Sequence, residues 1–107
     1  MTQVLIVGAG PVGLMTALGL ARENIDVCLI EAEDKIVYTP RAISYAWPIF
    51  TPLEAFGVLD DMMAAGHIVD ERTWRVFKTG ETIIYNHDAD RDITDRHYNM
   101  TLGQDRL

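Results

Sequence analysis

The sequence predicts an α/β fold that opens on a parallel strand–helix–strand unit, and three observations carry that expectation. Val4-Leu5-Ile6-Val7 is a short apolar run rich in β-branched residues. A glycine-rich turn, Gly8-Ala9-Gly10-Pro11-Val12-Gly13, follows at once. A helix-periodic stretch and a second apolar run ending in the acid Glu31 then complete about thirty residues, the span of one βαβ unit.

The first run has no polar alternation, so it reads as a strand buried on both faces. From Leu14 to Glu23, residues Leu14, Ala17, Leu18 and Ala21 recur at helical spacing. Pro11 suits the first turn of that helix, where its missing N–H costs little. Asn24 stands where the helix should stop, because Asn tolerates the left-handed conformation. Ile25 to Ile30 is the second strand, parallel to the first across a right-handed crossover. Cys28 sits inside it and reads as a packed strand residue without a redox role.

Glu33 to Ala46, which includes Pro40, reads as a loop with a short helical piece. Thr51-Pro52-Leu53-Glu54 has the form of a capping box with proline at the first helical position. Its helix should run to about Phe56 and stop at Gly57. Val58 to Ala65 reads as a second short helix ended by Gly66, and its acidic start, Asp60-Asp61, suits a helix N-terminus. Thr73–Phe77 and Thr82–Tyr85 flank Lys78-Thr79-Gly80-Glu81 as a β-hairpin. Asn86 to Arg96 is strongly charged and reads as an exposed loop, His97 to Leu102 as a further strand, and Gly103 to Leu107 as the opening of a helix.

With 107 residues the chain supports one small domain with a modest core. Its 9 basic against 16 acidic residues give a formal charge of −7, which argues against nucleic-acid or anionic-membrane binding. One cysteine cannot form an internal disulfide, so a reducing compartment is expected. The N-terminus lacks the basic leader of a signal peptide, and no apolar run approaches the ~20 residues of a membrane helix. A cytoplasmic location is the resulting expectation.

A lone GxGxxG is weak evidence, but here it follows a strand, opens a helix and precedes a second strand ending in an acid. Gly8 allows the tight turn, Gly10 lets a pyrophosphate approach the backbone, and Gly13 lets the helix pack close, with small Ala17 one turn later. The helix N-terminus offers free N–H groups and partial positive charge. Glu31 lies eighteen residues past Gly13, near the usual ~20. Its carboxylate can accept hydrogen bonds from both ribose hydroxyls of an adenosine and would repel a 2′-phosphate, so this site should not prefer NADP. The plainer alternatives are a glycine-rich turn without a dinucleotide and, for Glu31, a solvated carboxylate at a strand end.

The fingerprint does not choose between FAD and NAD. Gly8-Ala9-Gly10-Pro11-Val12-Gly13-Leu14, however, resembles the opening of the FAD-dependent aromatic hydroxylases, the p-hydroxybenzoate and phenol hydroxylase-like class A flavoprotein monooxygenases. Those begin with GAGPxGL and a βαβ unit ending in Glu. Pro40-Arg41-Ala42 resembles the family's PRA segment. Thr51 to Asp60 resembles its TxELLxxLGLxD helix, and Leu102-Gly103-Gln104-Asp105-Arg106-Leu107 its segment in which a glutamine opens a helix. The resemblance spans essentially the whole chain.

It implies FAD as bound cofactor, with Gly8, Gly10, Pro11, Val12 and Gly13 along the pyrophosphate and Glu31 on the adenosine ribose. Arg41 would bring positive charge to the cofactor and Gln104 a hydrogen bond. Ala32 completes the set, at the position after the acid where relatives often carry Arg or Lys. The resemblance further implies NAD(P)H as reductant, O₂, and an aromatic small-molecule substrate that receives one oxygen. It implies neither a catalytic acid or base among these residues nor a metal. Residues 1–66 would be the N-terminal part of an FAD-binding domain, 67–102 the start of a β-rich substrate domain, and 103–107 the return to the first. The family's GD and DG segments are absent, so the chain reads as an N-terminal fragment, inactive alone, that needs the remainder of its polypeptide. Another FAD-dependent oxidoreductase (dehydrogenase, oxidase or halogenase) and a non-catalytic dinucleotide-binding module remain as alternatives.

His67, His87 and His97, with Asp88, Asp90 and Asp92, lack a metal-ligand spacing and read as part of a solvated acidic region. Trp47 and Trp74 read as packing residues ahead of substrate contacts. Tyr45 follows Arg41 closely enough to pack near a flavin. Ser44 has no GxSxG elbow around it, which argues against a hydrolase nucleophile.

Overall fold

The computed structural model describes residues 1–39 and 41–107. β1 (Val4–Val7) and β2 (Val27–Ile30) pair in parallel, in a register running from Val4↔Val27 to Val7↔Ile30. α1 (Pro11–Arg22) connects them, with Gly10 at its N-cap and proline in its first turn. A Cβ built on Gly13 would lie 3.5 Å from the Ile6 methyl, so Ile6 faces the helix. Leu5 and Val7 alternate away from it and are 59% and 77% exposed. Burial of β1 on both faces is therefore corrected: α1 covers one face of the strand only.

α1 stops as its sequence dictates. Asn24 takes a φ of 58°, and its N–H donates to the Ala21 carbonyl while the Ile25 N–H donates to Leu20. That is the hydrogen-bond pattern of a left-handed C-terminal cap. Gly57, at φ 67°, closes α2 (Phe50–Ala55) in the same way, with Gly57 N–H to Glu54 and Val58 N–H to Leu53.

The start of α2 departs from expectation. A 3₁₀ turn at Trp47–Ile49 runs straight into the helix, and the Phe50 N–H donates to the Trp47 carbonyl. Thr51 and Pro52 thus lie inside the first turn, no side chain caps it, and the capping box is not formed. Glu54 turns instead to Arg96, whose Nη2 donates to its Oε2 at 2.7 Å. The arginine of α1's last turn, Arg22, donates to the Ala55 carbonyl at 2.8 Å and ties the two helices together. α3 (Leu59–Ala65) follows, with Asp60 and Asp61 in its first turn and Gly66 at its end.

The stretch before α2 holds a strand where a helical piece was expected. β3 (Ser44–Ala46), β4 (His67–Val69) and β7 (Asn99–Thr101) form an antiparallel sheet in the order β3-β7-β4. Three-residue strands are too short to show a period, which is why β3 and β4 escape a sequence reading. β5 (Glu71–Arg75) and β6 (Thr82–Asn86) form the expected hairpin, paired from Glu71↔Asn86 to Arg75↔Thr82, two residues earlier than Thr73 suggests. It stands largely exposed, Trp74 included, whereas Trp47 packs against the core.

That core lies between the short helices and the antiparallel sheet. Phe50 and Leu53 of α2, Leu59 and Met62 of α3, Met100 of β7 and Leu102 are buried, Phe50 and Met100 completely. The Tyr98 ring tilts onto Phe50 at a centroid distance of 5.3 Å. Met15 of α1 packs on the same cluster and joins the βαβ unit to it.

The left-handed residue gives a direct test of α1's termination. Asn24→Ala should lower stability by about 1 kcal/mol, whereas Asn24→Gly should leave it unchanged or higher. Urea unfolding midpoints measure the pair; equal midpoints for both variants would show that position 24 carries no backbone strain.

Candidate functional site

The glycine-rich turn is built from three glycines with three different constraints. Gly8 leaves β1 at a φ of 101°, which side chains rarely adopt, and its N–H donates to the Ile30 carbonyl at 2.7 Å. A Cβ on Gly13 would collide with the Gly8 carbonyl oxygen, so the first turn of α1 sits against the turn that precedes it. Gly10 has an ordinary φ of −72°, and a Cβ there would meet nothing within 4 Å. It leaves open space beside the backbone.

The N–H groups of Val12 and Gly13 lie in the first helical turn, where no intrahelical carbonyl can accept them. No side chain caps this end, and no acidic residue occupies it. The end of α1 therefore presents donors and the positive pole of its dipole to an incoming anion.

Glu31 closes the other side of the turn. Its Oε2 accepts the Ala9 N–H at 2.7 Å, and its Oε1 accepts the N–H groups of Ala32 at 2.6 Å and Glu33 at 2.9 Å. The bond from Glu33, then those from Ala9 and Ala32, hold the carboxyl below the usual range for a glutamate.

Arg41 and Gln104 come from remote stretches. The Leu102 N–H donates to the Ile43 carbonyl and the Gln104 N–H to the Ala42 carbonyl, extending the contact between β3 and β7 toward the turn. Gln104 thereby comes beside Arg41. Pro40, expected to open the PRA segment, lies outside the described residues. Among the described residues Arg41 has no ion-pair partner.

These pieces meet in one open cleft of about 600 Å³, lined by Ala9, Gly10, Pro11, Glu31, Arg41 and Gln104 among others. That volume suits a sizeable small-molecule ligand. Gly8, Gly13, Val12 and Ala32 are not on its lining: Gly8 and Gly13 shape the turn, Val12 projects its side chain to solvent, and the Ala32 N–H is taken by Glu31. Sequence reasoning missed Lys35, Ile36 and Val37, which line the cleft with Leu14 and Met15 of α1. The apolar pair Ile36-Val37 within a charged loop was the available signal.

The remaining candidates fall elsewhere. Ser44 accepts a hydrogen bond from Arg72 Nη2 at 2.7 Å. Tyr45 packs on the core, and burial, then the Asp105 carboxylate, raises its phenol. His87 corrects the expectation of a fully exposed loop: it is 7% exposed, with Nδ1 2.9 Å from Asp90 Oδ2, because Asp88–Asp90 form a 3₁₀ turn that folds the carboxylate back. Among the described residues no three His, Cys, Asp or Glu side chains are arranged to hold a metal ion. No helix among them is long and apolar enough to cross a membrane.

The sequence profile of the FAD binding domain family matches residues 1–107. The chain is 43% identical over 105 residues to 6-hydroxy-3-succinoylpyridine 3-monooxygenase HspB of Pseudomonas putida, covering 98% of this chain and 27% of that protein. In structure it superposes on p-nitrophenol 4-monooxygenase PnpA of Pseudomonas putida with a TM-score of 0.86 at 33% identity, over 94% of this chain and 26% of that one. It superposes on aklavinone-11 hydroxylase, solved with FAD and aklavinone, with a TM-score of 0.80 at 30% identity, over 99% of this chain and 22% of that one. The chain thus spans about a quarter of the length of these relatives.

The Glu31 bonds set a pH dependence. Its folded value is lowered, so their contribution is complete above the ordinary glutamate range and is lost as pH falls through the folded value. A carbon-detected NMR titration should place the Glu31 midpoint below the ordinary glutamate range. A midpoint within that range would mean that the three backbone bonds are absent in solution.

Proposed function

The chain belongs to the FAD binding domain family, and from that premise we propose that it forms the adenosine- and pyrophosphate-binding part of a flavin-dependent monooxygenase acting on an aromatic substrate. The observation that carries the reading is the cleft, in which Gly10 and Pro11, Glu31, Arg41, and Gln104 converge from four separated stretches of sequence. The names of the relatives, monooxygenases and hydroxylases of ring compounds, support the reaction class.

In this reading the pyrophosphate lies across the open side of Gly10, against the free N–H groups of Val12 and Gly13, with Gly8 holding the turn and Pro11 fixing the first helical residue. Arg41 supplies a delocalised cation, suited to bidentate contact with phosphate oxygens. Glu31 Oε2 keeps a lone pair beyond its bond to Ala9 and offers it to a ribose hydroxyl. Ala32 follows without a side chain long enough to reach the ligand. The Gln104 amide, at the head of a 3₁₀ turn, adds a hydrogen bond from the opposite wall. When bound, the flavin would supply the redox chemistry of ring oxygenation, with NAD(P)H as reductant and O₂ as oxidant. These residues bind and orient it, and residues 67–102 begin the part of the protein that faces the substrate.

The test is the flavin absorbance of the longest natural polypeptide carrying these residues, after gentle purification. Stoichiometric FAD, with O₂-dependent hydroxylation of a phenolic or pyridine ring, is the expected result. Gly10→Ala should keep stability within about 0.5 kcal/mol, because its Cβ meets no protein atom, yet weaken FAD at least about tenfold by occupying the open space. A colourless protein that takes NAD and not FAD would overturn the proposal.

A further inference from the structure

The Glu31 carboxylate faces backbone donors on two sides. Oε1 serves the adjoining N–H groups of Ala32 and Glu33, whereas Oε2 reaches Ala9, 22 positions earlier in the turn. Gly8 is tied to β2 through its bond to Ile30, and Gly10 is the N-cap of α1. Ala9 lies between these anchors, flanked by two glycines, and among the described residues its one backbone tie is to Glu31. We propose that Glu31 is a positioning residue for the glycine-rich turn, holding Ala9 and Gly10 in the shape that receives the pyrophosphate before any cofactor arrives. The inference rests on the flavin reading for the identity of the anion; the tie itself belongs to the chain alone.

The chemistry of the side chain follows from the two-sided arrangement. A carboxylate offers an acceptor oxygen to each side. A glutamine offers one, and its amide N–H would be set against a backbone N–H on whichever side it faced. An aspartate keeps both oxygens and the charge but is one methylene shorter; it can serve the adjoining N–H groups as in an Asx turn and falls short of Ala9. Charge, local bonds and the long bond to Ala9 are therefore separable by substitution.

The experiment is amide hydrogen exchange by NMR on the cofactor-free protein, comparing wild type with Glu31→Asp and Glu31→Gln, followed by binding of inorganic pyrophosphate. Pyrophosphate has no ribose. The expected result is Ala9 exchange about tenfold faster in Glu31→Asp with Glu33 protection kept, faster exchange in Glu31→Gln on whichever side its amide N–H faces, and pyrophosphate bound several-fold more weakly where the Ala9 bond is lost. If Glu31→Asp does not fold, Glu31→Ala removes the bond to Ala9 and keeps the same readout. Unchanged Ala9 exchange and unchanged pyrophosphate affinity, beside a loss of FAD affinity, would overturn the inference and leave Glu31 acting through the ribose alone. A wild-type protein with a protected Ala9 that takes pyrophosphate but not FAD would uphold the tie and overturn the cofactor reading instead.

Discussion

The middle position of β7 is the constraint on which the rest depends. Asn99–Thr101 pairs with β3 on one side and β4 on the other, while Met100 passes fully buried into the cluster of Phe50, Leu53, Leu59 and Met62. The burial is what fixes the register, because a slip of one residue would turn the fully buried Met100 away from the core face. That register continues through the bonds Leu102–Ile43 and Gln104–Ala42, and it brings Gln104 to Arg41. One wall of the cleft is thus made by residues far apart in the chain, held there by a short strand whose place is decided by hydrophobic packing.

The opposite wall is local, made by a strand, a turn and a helix consecutive in sequence. The cleft shares the acidic balance of the chain. The formal charge is −7, and Glu33, Asp34 and Asp105 line the cleft itself. An anion cannot be drawn there by net charge. It would have to be held at contact distance by the α1 terminus, Lys35 and Arg41, where direct hydrogen bonds outweigh a field that salt screens beyond about 8 Å. The arrangement favours a ligand with one compact anionic segment and neutral, hydroxyl-bearing or apolar flanks over a polyanion.

What was legible in the sequence was whatever a single residue or a local period decides. Gly8 at positive φ, Asn24 and Gly57 as helix stops, Gly66 after α3 and the β5–β6 hairpin all follow from local chemistry. Of the residues that line the cleft, Gly10 and Glu31 stand out in the fingerprint, and Pro11, Arg41 and Gln104 through the family resemblance. What was not legible depends on partners. β3 and β4 are strands only because β7 lies between them. The Thr51–Glu54 pattern was a sound capping signal overridden by the 3₁₀ turn upstream, which left Glu54 for Arg96. Lys35, Ile36 and Val37 line the cleft with Leu14 and Met15 of α1, and the apolar pair Ile36-Val37 signals a contact in that loop without saying against which element.

The structure also divides the glycine fingerprint into parts that its regular spacing hides. Gly13 is required because Gly8 is where it is: a side chain at 13 would strike the Gly8 carbonyl, so the two glycines form one folding constraint shared across the turn. Gly10 belongs to no such pair, since its dihedrals are ordinary and its missing side chain touches nothing in the protein. Apart from the general suitability of glycine at a helix N-cap, folding gives no reason for a glycine there. A βαβ unit needs the first and third glycines to bring its helix against its turn, and needs the second only if something else must come close. The open space at Gly10 is what the proposed pyrophosphate contact would use.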